Sequence, residues 1–277
     1  THKTGILLPI SSLPSNYGIG SFGSSAYKFI DFLKETRQTC WQILPLNPTS
    51  YGDSPYQSPA SLAGNPYFID LDLLYKDGLL TKEELRENIN KSKKVDYGWL
   101  FNTRFSVLRR AFERFVKTDE YFDFLNRSNY WIGDYAKFMA LKEKNNYKDW
   151  LNWEVLDVNE SELEFWYFIQ YLFDRQWNNV LKYAHENGIT IIGDMPIYVA
   201  LDSVDVWMNK SDFLLDQNNY PALVAGCPPD GFSPDGQLWG NPIYNWEKMK
   251  NDNFSWWIKR MKRHLELYDI IRIDHFR

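Results

Sequence analysis

The sequence predicts an α/β fold built on a parallel sheet, and three observations support this prediction. Four short, continuously apolar segments have the character of strands covered on both faces, which is typical of parallel sheets. Segments with helical spacing of apolar residues lie beside these strands along the chain. The chain has 277 residues, 44% of them hydrophobic, which is enough for one large α/β domain or two small ones.

The predicted strands are, in chain order, Ile6–Ile10, Trp41–Leu46, Thr190–Asp194 and Ile270–Asp274. After the first strand, the apolar positions between Ala26 and Leu33 predict a helix, and we expect Ser24 or Ser25 to cap it. Before the third strand, apolar residues keep helical spacing from Phe165 onward. Gly188 is expected to end that helix in the left-handed conformation.

The stretch 73–185 contains no apolar run that resembles the four strands. Its segments TKEELRENI, NTRFSVLRRAFERFVK and GDYAKFMALKEK have the composition and spacing of helices. We interpret 73–185 as an inserted, mainly helical subdomain that divides the sheet-forming part of the chain into 1–72 and 186–277.

Two long loops, Asn47–Tyr67 and Gly226–Trp246, combine turn-forming residues with aromatic rings and aspartates. Each has about 20 residues, and loops of this length without secondary structure of their own are usually functional. Aromatic residues make up 17% of the chain. Most rings serve packing, but their flat apolar faces also suit sugars. The two loops therefore favour a polyhydroxylated ligand.

The sequence Gly18–Gly23 has the pattern G-x-G-x-x-G, which in other proteins marks a dinucleotide site. Two features contradict that interpretation. The segment SSLPSNY separates the motif from the first strand, and the second strand ends without the acidic residue that binds a ribose. We expect the glycines to shape the loop after the first strand.

Composition excludes several classes of partner. The formal net charge of −5 argues against nucleic acid. No apolar run approaches the length of about 18 residues that a membrane span needs. The N-terminal segment lacks the apolar core of a signal peptide, and the two cysteines, Cys40 and Cys227, are expected to be idle thiols. The four histidines show no metal-ligand spacing. We therefore expect a cytoplasmic protein with no metal.

The end of the fourth predicted strand, in the segment IIRIDHFR, carries a candidate catalytic pair. Residues two apart on a strand face the same side, so Arg272 and Asp274 should point together. Asp194 ends the third strand, at the same edge of a parallel sheet, where active sites form. An ionised carboxylate beside an arginine can attack an anomeric carbon. A purely structural ion pair is the alternative.

Five stretches, in the same order, resemble the amylomaltase family of 4-α-glucanotransferases in the α-amylase superfamily. They are GILLPISSLPS, YGDSPYQS, GDMPIYVA, PPDGFSPDGQLWGNPIY and RIDHFR. The resemblance implies a (β/α)8 TIM barrel with about its first four strands in 1–72 and 186–277. It further implies retaining transfer of α-1,4-glucan segments between maltooligosaccharides and glucose, with no cofactor.

The resemblance also implies roles for individual residues. Asp274 is the nucleophile and Arg272 its charge partner, while Asp194 binds sugar hydroxyls near the cleavage point. Substrate contacts are further implied for four residues, namely Tyr56, Asp230, Trp239 and His275. Trp239 and Asp230 belong to a lid loop, 226–246, over the donor.

Three interpretations stay open. The chain is a transferase of the amylomaltase type, an α-amylase-like hydrolase, or a glucan-binding protein without catalysis. Retaining glycosidases need a second carboxyl group about 5–5.5 Å from the nucleophile. In the family this general acid follows the next barrel strand, so we expect it beyond Arg277, in a missing C-terminal half of the barrel.

Overall fold

The computed structural model describes residues 3–276, so Arg277 of the last motif lies outside the described residues. The described chain contains six strands: β1 Gly5–Leu7, β2 Cys40–Gln42, β3 Thr190–Pro196, β4 Val224–Cys227, β5 Gln237–Pro242 and β6 Ile270–Asp274. Strands β1, β2, β3 and β6 form one sheet in that order, and all neighbours are parallel. The predicted α/β fold with a parallel sheet is confirmed, although β1 ends at Leu7 rather than Ile10 and β2 ends at Gln42 rather than Leu46.

Ten α-helices accompany the strands in the part of the chain that the structure describes. They are α1 Ser24–Glu35, α2 Leu71–Lys76, α3 Lys82–Glu87, α4 Tyr97–Arg114, α5 Asp119–Arg127, α6 Ile132–Lys144, α7 Glu160–Glu186, α8 Val204–Met208, α9 Trp246–Asn251 and α10 Ser255–Leu267. Helices α2 to α6 lie in or overlap the stretch for which the sequence predicts helices. None of the helices in 3–276 is both long and apolar enough to cross a membrane.

Helix α7 joins the helical stretch to the sheet. It begins five residues before the predicted Phe165, because Asn159 and Glu162 form a capping box that satisfies the first N–H groups. The helix ends as predicted, with Gly188 at a φ of 72°. Its residue Trp177 packs against Phe22 beside the sheet, whereas other aromatic residues of α7 pack against α4, α5 and α6.

The start of α1 differs from the prediction. Gly23 occupies the N-cap position without a side-chain hydrogen bond, and Ser25 instead donates its hydroxyl to the Pro14 carbonyl at 2.7 Å. The prediction that Ser24 or Ser25 caps α1 is therefore wrong. The incoming loop, rather than the local sequence, decides which residue lies at the cap.

The glycine motif before α1 shapes a loop. A Cβ on Gly20 would lie 1.9 Å from the Ile10 carbonyl oxygen, so only glycine fits this close approach. A Cβ on Gly23 would lie 2.1 Å from the Asp70 carboxylate, which also accepts a hydrogen bond from Ser21 at 2.7 Å. A carboxylate thus lies at the start of α1, where a dinucleotide site would hold phosphate.

Candidate active site

A cavity of about 760 Å³ lies at the carboxyl ends of the four parallel strands. Leu7 and Gln42 line it as the last residues of β1 and β2. Asp194 contributes from β3, and Asp274 contributes from the end of β6. The carboxyl ends of parallel strands meet at one edge of a sheet, so residues far apart in the chain converge here.

Arg272 bridges the two carboxylates of this cavity. In the register of β3 and β6, Asp194 lies opposite Arg272 and Pro196 opposite Asp274. Arg272 donates from Nη1 to Asp194 Oδ1 at 2.8 Å and from Nη2 to Asp274 Oδ1 at 2.5 Å. The Asp194 side chain is only 2% exposed, whereas that of Arg272 is 47% exposed. The structure therefore brings together the three residues that the sequence places at the strand ends.

Asp194 also accepts a hydrogen bond from the Tyr56 hydroxyl, at 2.5 Å. Burial raises the pKa of the Asp194 carboxyl, while the hydrogen bonds from Tyr56 and Arg272 oppose that rise. Burial likewise raises the pKa of Tyr56, and the hydrogen bond to the neighbouring carboxylate adds to the effect. Tyr56 is thus a neutral donor near physiological pH, and Asp194 is an acceptor held by two donors.

The sequence predicts that the Asn47–Tyr67 loop has no secondary structure of its own. The structure instead shows short turns in this loop. Two 3₁₀ turns, Pro55–Gln57 and Pro66–Phe68, lie within or at the end of it. The first turn carries Tyr56, and the Ser54 hydroxyl caps it by accepting from the Tyr56 N–H at 3.2 Å. These contacts fix the tyrosine relative to the sheet.

The Gly226–Trp246 stretch was likewise predicted as a loop without secondary structure, and this prediction is wrong. Most of it forms an antiparallel ribbon of β4 and β5, with a turn over 228–236. Trp239 lies on β5, next to Gly240 at a φ of 80°. The Trp239 and His275 rings lie 4.6 Å apart between centroids. Both residues line the central cavity, as Tyr56 does.

Asp230 does not line the central cavity. It lines an adjacent cavity of about 450 Å³, which shares Tyr198, Trp239 and His275 with the central one. The Asp230 carboxylate accepts the N–H groups of the next turn residues, Phe232 at 2.8 Å and Ser233 at 2.9 Å. The structure therefore places Asp230 on the far side of Trp239.

Sequence reasoning missed five polar or aromatic residues of the central cavity, namely Gln42, Ser54, Gln57, Tyr198 and Asn241. All of them except Gln42 lie inside the stretches that carry the family resemblance. Membership of these stretches is the sequence feature that could have identified those residues as part of the site. Among residues 3–276, no group of three or more His, Cys, Asp or Glu side chains could hold a metal ion.

Comparisons with known proteins identify the family of the chain. Residues 8–277 match the model of the 4-alpha-glucanotransferase family. Over 97% of its length, the chain is 51% identical to the 4-alpha-glucanotransferase of Clostridium butyricum and covers 59% of that protein. It is 42% identical to the enzyme of the same name from Thermus thermophilus, covering 99% of this chain and 58% of that protein. The chain thus spans less than two thirds of these relatives.

The solved structures that resemble this chain include two amylomaltases. The amylomaltase from Streptococcus agalactiae in complex with acarbose matches with a TM-score of 0.93 and 43% identity, over 100% of this chain and 60% of that one. The amylomaltase from Corynebacterium glutamicum, at 20% identity, has a TM-score of 0.80 over 99% of this chain and 40% of that one. The second match shows a shared fold.

Proposed function

The chain belongs to the 4-alpha-glucanotransferase family, and from this premise we propose that the protein carrying it transfers α-1,4-glucan segments between maltooligosaccharides. The observation that carries the proposal is the Arg272 bridge between Asp194 and Asp274 in the wall of a cavity of about 760 Å³. A cavity of this size fits a small sugar chain. The relative from Streptococcus agalactiae has been solved with acarbose.

We further propose that the parallel sheet is the first half of a (β/α)8 barrel. The strands follow one another in chain order across the sheet, as successive barrel strands do. Helices α2 to α6 would then belong to a subdomain inserted between the second and third strands.

In the proposed reaction, Asp274 is the nucleophile. Arg272 binds its Oδ1, and we assign the attack on the anomeric carbon to Oδ2. The new carbon–oxygen bond forms as the bond to the leaving sugar oxygen breaks, and a general acid protonates that oxygen. The hydroxyl of an acceptor sugar then attacks the glycosyl ester and returns its proton to the same group. Two inversions give retention.

The general acid is a separate group. Asp194 and Asp274 are the carboxyl residues that line the central cavity within 3–276. Asp194 accepts from both Tyr56 and Arg272, which favours its ionised form and a role in binding sugar hydroxyls. We therefore place the general acid in the part of the longer relatives that this chain does not cover.

The aromatic residues favour transfer over hydrolysis in this proposal. Tyr56 contacts the reacting sugar from one wall, and Trp239 with His275 covers it from the other. Excluding water protects the glycosyl ester until an acceptor sugar arrives. Asp230 fixes the ribbon turn beside this cover through its bonds to backbone N–H groups.

The test is incubation of the full-length natural protein with maltotriose, followed by separation of the products. Transfer of a maltosyl unit from one maltotriose to another yields glucose and maltopentaose, and further rounds yield longer chains, whereas a hydrolase yields glucose and maltose alone. A protein that binds maltotriose without converting it would be a glucan-binding module, and the proposal would be refuted.

Two matched variants test the assignment of the nucleophile. Asp274→Asn keeps the shape of the side chain but cannot form the ester, so transfer should be lost while maltotriose still binds. Asp269→Asn changes the same residue type just before β6, at the opposite end of the strand, where Asp269 binds His185 at 2.8 Å. That control should stay active. Near-normal transfer by Asp274→Asn would show that another residue is the nucleophile.

A further inference from the structure

Two side-chain amides in the lining of the central cavity join the 3₁₀ turn that carries Tyr56 to strand β5. Gln57 Nε2 donates to Asn241 Oδ1 at 3.0 Å, and Asn241 Nδ2 donates back to Gln57 Oε1 at 3.3 Å. Gln57 follows Tyr56 in the first 3₁₀ turn, and Asn241 follows Trp239 by two residues on β5. The two residues are 184 positions apart in the chain.

Each amide is also tied to the backbone of the cavity wall. Gln57 Nε2 donates a second bond to the Trp239 carbonyl at 3.2 Å. Asn241 Nδ2 donates its second bond to the Val199 carbonyl at 2.9 Å, in the segment that follows β3. Both N–H groups of each amide are therefore used within the protein, and Asn241 is only 4% exposed. This pattern suits residues that position their neighbours rather than bind a ligand.

The amide pair closes a ring of contacts around the cavity. On one side, Gln57 adjoins Tyr56, whose hydroxyl binds Asp194. On the other side, the Trp239 ring packs on His275, which adjoins Asp274. The Arg272 bridge between the two aspartates completes the ring. The link between Gln57 and Asn241 is where the ribbon of β4 and β5 meets the 3₁₀ turn.

We propose that Gln57 and Asn241 are positioning residues that hold Trp239 over the cavity and so determine whether the glycosyl intermediate reacts with a sugar or with water. This inference rests on the proposed function and assigns its transfer selectivity to a specific pair of side chains. Weakening the pair lets the β5 wall move, which admits water to the ester at Asp274.

Hydrogen–deuterium exchange of the full-length natural protein tests the physical link without using activity. Gln57→Ala removes the three side-chain hydrogen bonds that join Gln57 to Trp239 and Asn241, and it should speed amide exchange in 237–242 by a factor of about 5 to 30. Asn241→Ala should speed exchange in 55–57 in the same way. Gln57→Glu keeps the size of the side chain and an oxygen that can accept from Asn241 Nδ2, but it loses both donors, so it should also speed exchange in 237–242.

A matched control is Gln38→Ala. The Gln38 amide donates to the Thr36 carbonyl, before β2 and at the other end of the sheet. This variant should leave exchange in 237–242 and 55–57 unchanged. Unchanged exchange in 237–242 with Gln57→Ala and Gln57→Glu would overturn the inference.

The ratio of free glucose to transferred glucose tests the consequence for the reaction. Gln57→Ala and Asn241→Ala should each raise the share of hydrolysis roughly fivefold, with little change in the rate of donor cleavage. The double variant should match the single variants, since both remove the same link. The inference would be refuted if the effects of the two single variants add in the double variant, or if KM rises while the ratio of free to transferred glucose stays unchanged. Either result would assign the amides to direct sugar binding.

The two proposals fail in different ways. If the wild-type protein makes no longer oligosaccharides, the proposed function is refuted, and the exchange data still decide whether the amide pair holds β5. If the wild-type protein transfers glucan but the Gln57 variants change neither exchange nor product ratio, the proposed function stands and the positioning inference is wrong.

Discussion

Replacing Arg272 with alanine removes the guanidinium that bridges Asp194 and Asp274. Breaking a fully buried ion pair costs about 3–5 kcal/mol, and an exposed pair contributes about 0–1 kcal/mol. Arg272 lies between these limits, because its side chain is 47% exposed while that of Asp194 is 2% exposed. Tyr56 also donates to Asp194, and we expect this bond to remain in the variant. We therefore expect the free energy of unfolding to fall by about 1–3 kcal/mol.

The loss should depend on pH, and its sign follows from Asp194. Burial already raises the pKa of this carboxyl, and Arg272 opposes the rise, so the variant has a still higher native-state pKa. A carboxyl whose folded pKa lies above its unfolded value binds protons more tightly when folded. The stability that this tighter proton binding gives to the folded state is present at low pH. It disappears as the pH rises through the folded-state pKa of the carboxyl. The loss of unfolding free energy in Arg272→Ala, relative to wild type, should thus be larger near pH 7 than near pH 4.

Urea unfolding of wild type and Arg272→Ala, at about pH 4 and about pH 7, measures both effects. Arg175→Ala is a matched control, because Arg175 also contacts two carboxylates, Asp77 at 3.1 Å and Glu120 at 3.8 Å, but all three side chains are well exposed. The control should lose no more than about 1 kcal/mol, with little pH dependence. Equal losses in the two variants, or a deficit that shrinks toward neutral pH, would refute the reasoning.

Three further predictions follow from individual residues. Trp239→Ala should raise the ratio of hydrolysis to transfer and weaken donor binding, which product analysis and titration calorimetry measure; an unchanged ratio would contradict its role as cover. Burial lowers the pKa of His264 from 6.5 to about 3. At pH values between these two, the His264 imidazole is protonated in the unfolded chain but neutral in the folded protein. Stability should fall by about 2 kcal/mol from about pH 7 to about pH 5, and His264→Leu should lose this slope in urea titrations. Gly193→Ala would place a Cβ 2.1 Å from the Tyr268 ring and should cost about 1–3 kcal/mol by overpacking; unchanged thermal stability would contradict it.

Several parts of the fold follow from local sequence pattern. Continuous apolar runs predicted the four parallel strands, because a strand covered on both faces needs apolar residues on both sides. Helix α7 followed from its helical spacing and from Gly188, since both depend on residues close in sequence. The period of a strand also predicted that Arg272 and Asp274 face the same side, as the structure shows.

The errors in prediction have a common cause. The cap of α1 is Gly23 because the preceding loop and Asp70 fill the space around it. The Gly226–Trp246 stretch forms a ribbon because β4 and β5 pair with each other, and β5 is bonded to the Gln57 side chain. Neither arrangement is visible in a short window of sequence, since glycine, proline and aspartate favour turns without fixing what packs beside them.

The fold class, the family and the residue types at the strand ends can be read from the sequence, because they depend on periodicity and on motifs that keep their order along the chain. The bonds between Gln57 and Asn241, the bridge from Arg272 to the aspartates of β3 and β6, and the place of Asp230 in the adjacent cavity come from tertiary packing. These contacts join residues up to 184 positions apart. Their geometry is set by how the strands pair and how the loops pack on the sheet, and no local pattern of side chains encodes those distances.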